Sequence, residues 1–137
     1  MSLGPAAKAK MEATTGITDI VAARIFPQYV RESDNVYPLI VYKVENVDPQ
    51  LSHDGPTGLE SADLIIAAIG ATQKDARILA DAIQLALNGN RGTWDTLYCQ
   101  GCFLKDDGIS DDVVTEPTTE ESLYYTKELS FTVWYTK

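Results

Sequence analysis

Apolar residues recur at helical spacing most clearly between Ala71 and Gly89. At about 100° per residue, Ala76, Leu79, Ala80, Ile83 and Leu87 form one stripe, and Ile78, Ala82, Leu85 and Ala86 widen it. The pattern predicts a long helix. Thr72 is placed to cap its first turn, with Asp75 three residues on in capping-box position. Gly89 stands where a left-handed residue ends a helix. The apolar arc covers roughly 200°, against the ~100° that packing on one sheet needs. The flank is therefore expected to meet either another part of the chain or a second molecule.

Elsewhere the pattern is that of strands. Tyr37 to Glu45 is β-rich and apolar on both sides in its first half, and Pro38 fits only near its start. Asp48-Pro49 and Asp54-Gly55-Pro56 mark Val47–Gly58 as a loop. Leu59–Ile69 follows as a second strand; Leu64, Ile66 and Ala68 alternate with Ile65, Ala67 and Ile69, so both faces of its second half are expected to be covered. Thr96–Lys105 reads as a third strand with a bulge at Gly101. The last strand, Leu123–Tyr135, places Tyr125, Leu129, Phe131, Val133 and Tyr135 on one face. Glu128, Ser130, Thr132 and Trp134 take the other. Before these, residues 4–13 suggest a ragged helical lead-in, and Ile17, Ile20 and Val21 a short helix. Met1-Ser2-Leu3 is set aside as a cloning remnant. Arg24–Pro27 is a brief extended piece. The expected fold is α+β: a mainly antiparallel, four- to five-stranded sheet with one long helix on a face and a short N-terminal helix. Residues 1–13 form the lead-in, partly disordered, and 14–137 a single domain.

The length of 137 residues suits one domain that needs no staple. A net charge of −9 argues against a surface that grips nucleic acid and against sequence-specific binding of it. No apolar run reaches a membrane span, and Met11 to Thr15 do not supply the apolar core of a leader. Much of the acidity falls in 106–122, which holds seven carboxylates and no base. That stretch is expected to be an exposed loop.

Candidate chemistry is sparse. Cys99-Gln-Gly-Cys102 has C-x-x-C spacing, but it lies in strand sequence. In a regular strand, residues three apart face opposite sides about 10 Å apart. Two packed strand cysteines are the plain reading; a redox pair or half a zinc site is the alternative. His53 sits in a turn, where Ser52-His53-Asp54 cannot take triad geometry. Asp106, Asp107, Asp111 and Asp112 do not fit an EF-hand register. The glycine-rich Asp54–Gly58 lacks a P-loop lysine. No nucleophile–base pair, cofactor loop or metal set is assembled, so no enzyme, cofactor or metal is expected. Trp134, on the polar side of the last strand, is either an interface anchor or covered within the chain by the acidic loop or the N-terminal lead-in.

Taken in order, Arg24–Pro27, Tyr37–Tyr42, Asp54–Leu59 at the entry to a strand, Ala71-Thr72 opening the helix and Phe131–Tyr135 at the end resemble the tail completion family of long-tailed phages. That family is similar to tail-terminator and tail-to-head joining proteins. The likeness spans about Ile17 to Tyr135; Cys99-x-x-Cys102 and a longer acidic loop depart from it. It implies a virion assembly protein of a phage or prophage, made in the host cytoplasm. Such a protein forms a ring, typically a hexamer, whose partners are itself, the tail tube protein and the head connector protein. On that reading Ile78, Ala82, Leu85, Ala86 and Trp134 meet neighbouring subunits, and Asp106, Asp107, Asp111 and Asp112 line or rim the channel. The competing readings are a small redox or metal-binding domain using Cys99 and Cys102, and a monomeric adaptor.

Overall fold

The computed structural model describes residues 3–21, 25–27, 38–52, 55–70, 72–95, 97–109, 113–115 and 124–136. Helix α1 covers Leu3–Glu12, α2 Thr15–Val21 and α3 Gln73–Leu87. The strands are β1 (Ile25–Pro27), β2 (Leu39–Ser52), β3 (Gly55–Gly70), β4 (Asn90–Trp94), β5 (Leu97–Ile109), β6 (Val113–Thr115) and β7 (Tyr124–Thr136). Six of them lie in the order β1-β2-β3-β7-β5-β4, and β6 pairs with β7 off this path. Among the described residues only β1 on β2 is parallel; the other pairs are antiparallel.

The sheet curls. Helix α1 touches β1 and β2 toward one edge and β4 at the other, so it bridges the two ends of the sheet. Leu3, Ala6, Ala7 and Met11 are buried in that position. The helix turn breaks at Ala13–Thr14, where the Thr14 hydroxyl donates to the Lys10 carbonyl at 2.8 Å. Helix α3 crosses β3 and β7. Its buried residues are Ala76, Leu79, Ala80, Ile83 and Leu87, the five of the predicted stripe. Four of them join Leu64, Ile66, Leu129, Phe131 and Val133 in one core. Burying each large aliphatic side chain there contributes about 1.5–3 kcal/mol.

Both ends of α3 are fixed as its sequence predicts. The Asp75 amide donates to Thr72 Oγ1 at 3.1 Å, and Gly89 has φ of 78°. The C-terminal end is also tied to the sheet. The Gly89 amide donates to the Cys102 carbonyl at 2.6 Å, and the Leu104 amide donates to Asn88 Oδ1 at 3.0 Å.

Several expectations need correction. The sheet has six strands in its main path rather than four or five, because Ile25–Pro27 and Asn90–Trp94 both pair. Leu3, set aside in the sequence, is 1% exposed and belongs to the core, and the lead-in is a packed helix. The loop predicted over Val47–Gly58 is largely strand: β2 and β3 continue pairing to Ser52 and Gly55 as a long arm. Cross-strand hydrogen bonding overrides the turn preference of Asp48-Pro49, which falls at a register shift. The acidic stretch is not one loop, since residues 106–109 extend β5 and 113–115 form β6 on β7. Finally, among the described residues the two faces of β3 are covered unequally. Ala62, Leu64, Ile66 and Ala68 are buried, while Ile65, Ala67 and Ile69 remain partly exposed on the other side.

Candidate interaction surfaces

The five residues expected at a subunit interface divide between opposite sides of the sheet. On the helix side, Ile78 and Leu85 project from α3, 46% and 88% exposed. Ala82 and Ala86 lie lower on the helix flank, partly buried against the core. Lys74, Arg77, Asp81 and Asn88 complete the exposed face around them. Trp134 lies on the far, open face of the sheet, paired with Ser61 of β3 and Gly101 of β5.

Around Trp134 the open face forms a shallow hollow of about 440 Å³ lined by Leu59, Gln100, Gly101, Phe103, Trp134 and Thr136. Phe103, 54% exposed, stands at its side. Its ring lies over Gly101, so close that a Cβ added there would come within 2.6 Å of it. An aromatic ring laid over a strand glycine covers backbone that would otherwise be bare. Gly101 also sits at the register shift between Cys99 and Gly101 on β5. The shift changes the phase of the strand, which is why both Cys99 and Cys102 are buried in the core while Tyr98 and Phe103 face outward. The sequence placed the bulge correctly, but it did not single out Phe103, Leu59 or Ile65. The signal for Phe103 was available: counted through the bulge, its phase matches that of Thr132 and Trp134.

Next to the hollow lies a polar clasp. Asp63 of β3 accepts hydrogen bonds from Asn46 Nδ2 at 2.7 Å and from Lys105 Nζ at 2.8 Å. Asn46 has φ of 54° within the irregular stretch of β2 between Glu45 and Asp48, a conformation that asparagine tolerates well. The clasp thus spans β2, β3 and β5. Burial raises the Asp63 pKa, but the bonds from Lys105 and Asn46, with the Lys105 charge, outweigh it and leave the pKa below its ordinary value. At the end of the sheet the Tyr135 hydroxyl donates to Glu60 Oε2 at 2.8 Å, and burial followed by that carboxylate pushes the phenol pKa up.

The cysteine pair has the opposite electrostatics from a redox site. Burial pushes the Cys99 thiol up to about 11, against small lowering effects from the Gly101 backbone and Lys10. Cys102 is raised further, by burial and then by its neighbour Cys99. A reactive thiolate needs its pKa lowered. The Cys99 thiol donates weakly to the Asn90 carbonyl at 3.7 Å, and Asn90 Oδ1 also accepts from the Trp94 indole at 2.8 Å. Among the described residues, no group of three or more His, Cys, Asp or Glu side chains could hold a metal ion. Of the expected channel residues, Asp106 and Asp107 lie in β5. Asp111 and Asp112, like His53, lie outside the described residues.

No family model matches the chain, and no curated protein matches it. Among solved structures it is similar to a chain of the virion of a native gene transfer agent particle. The match has a TM-score of 0.66 at 15% identity, over 93% of this chain and 90% of the other. The two share a fold across nearly their whole lengths.

Proposed function

We infer that this protein is a structural component of a phage or prophage virion, a tail-terminator or head–tail joining protein. It assembles as a six-fold ring at the end of the tail tube. The observation that carries this reading is the fold shared over 93% of the chain with a virion component. The ordered motifs resembling the tail completion family agree with it. So does the surface: α3 and the open sheet face expose large apolar side chains on opposite sides of one sheet, the arrangement a head-to-tail contact uses. In this reading the partners are further copies of the chain, the tube protein and the head connector. The virion is its final location, and its role is mechanical rather than catalytic. Asp106, Asp107, Asp111 and Asp112 would rim the channel, where like charge keeps DNA from adhering.

The test is absolute mass by light scattering across protein concentration, alone and with purified tail tubes, followed by electron microscopy of tube ends. A discrete hexamer, or a ring capping the tubes, is the expected result. A chain that stays monomeric and leaves tube ends bare would overturn the reading.

A further inference from the structure

We propose that neighbouring copies join by laying the outer face of α3 from one copy along β7 on the open sheet face of the next, with Leu85 seated in the hollow beside Trp134 and Phe103. This rests on the ring reading and names the contact that builds it. The argument is a match of two sequences of chemistry read at different rises. Going back along α3 from Leu85, the exposed face presents an apolar residue (Leu85), an anion (Asp81), an apolar residue (Ile78) and a cation (Lys74). Going back along β7 from Trp134, the open face presents the apolar hollow, the Lys105 ammonium in its ion pair with Asp63 beside Thr132, the partly exposed Ile65 and Ala67, and the Glu128 anion. Apolar steps meet apolar steps, Lys74 meets Glu128, and Asp81 meets the Lys105–Asp63 ion pair.

The spacings agree. At 1.5 Å per residue Ile78 and Lys74 lie about 10 Å and about 16 Å from Leu85 along the helix. At about 3.3 Å per residue, Ser130 and Glu128 lie about 13 Å and about 20 Å from Trp134 along the strand. The lysine and glutamate side chains span the remaining few ångströms. Asp81, about 6 Å from Leu85, falls near the Lys105 ammonium, which the clasp with Asp63 holds over this part of the sheet. Helix face and sheet face are different surfaces on opposite sides of the core, so the contact is heterologous. It repeats head to tail until it closes.

The edges of the sheet are poor alternatives. At one edge β1 is three residues long and ends in Pro27, and beyond it β2 carries Lys43, Glu45 and Pro49 and is broken by an irregularity at Asn46; at the other, β4 is five residues long. These are devices that discourage strand addition.

The experiment uses full-length chains. One preparation carries Leu85→Cys and another Phe103→Cys; the native thiols are buried. Mixed and treated with a short bis-maleimide, they should give covalent dimers, whereas neither preparation alone should cross-link. In parallel, Lys74→Glu and Glu128→Lys should each weaken association about tenfold or more, and the double reversal should restore it. Circular dichroism checks that each variant folds. Rings that form with Leu85→Glu unimpaired, or that cross-link within one preparation, would overturn the proposed contact while leaving the ring standing. Absence of any assembly by the unsubstituted chain, with or without tubes, would overturn both.

Discussion

The two faces of β3 carry nearly the same residue types and have opposite fates. Ile66 and Leu64 are fully buried under α3; Ile65 and Ile69, their alternating neighbours, stay partly exposed. The difference does not come from the strand. It comes from which side the three helices occupy: α1 closes the curl, and α3 crosses the middle strands on that same side. A strand that is apolar on both sides predicts cover on both sides; within one copy the two sides are covered unequally. The open face is therefore chemically prepared for cover that a second molecule would supply.

The contrast can be broken by substitution. Phe131→Ala, beneath α3, should cost about 3–5 kcal/mol in denaturant unfolding. Ile66→Ala should cost about 2–5 kcal/mol. Ile65→Ala, one residue away on the open face, should cost less, about 1–2 kcal/mol in the monomer, because solvent already reaches part of its side chain. If the two isoleucines proved equally costly in a monomer, the described division of faces would be wrong. Thr72→Ala removes the acceptor for the Asp75 amide and should cost about 1 kcal/mol with no change in the sheet.

The smallest effect belongs to the clasp. Asp63→Asn should cost about 0.2–1 kcal/mol, less at high salt, since Lys105 is partly exposed. Its pH dependence has a definite sign. The folded pKa is lowered from the ordinary 3.8. The stabilisation is thus present above that value and is lost as pH falls through the lowered folded value. Acid unfolding of Asp63→Asn should accordingly start from lower stability at neutral pH and show a shallower decline below pH 4.

Much of this architecture was legible in the chain. The limits of α3 fell within two residues of their predicted positions because Thr72 and Gly89 are explicit capping signals. The buried face of β7 was read directly from the alternation of Leu129, Phe131, Val133 and Tyr135. What escaped was whatever depends on partners distant in sequence. Asn90–Trp94 has Gly92 at its centre and no alternation, and it is a strand only because β5 pairs with it. The outer arm of β2 contains Asp48-Pro49, a local turn signal outvoted by β3. Leu3 looked dispensable, yet it fills the space where the sheet curls. On the candidate surfaces, Leu85, Ile78 and Trp134 were legible as apolar residues out of phase with the core. Phe103 was hidden by the bulge before it.

The ties at the end of α3 have a consequence beyond stability. Asn88 and Gly89 bond to the backbone of Leu104 and Cys102, which flank Phe103. The helix that carries Leu85 and the strand that carries the hollow are thereby members of one rigid frame. In any head-to-tail chain of copies, the angle between those two surfaces is the turn taken at each step. If copies join through those two surfaces, the number needed to come full circle is a property of this short piece of backbone.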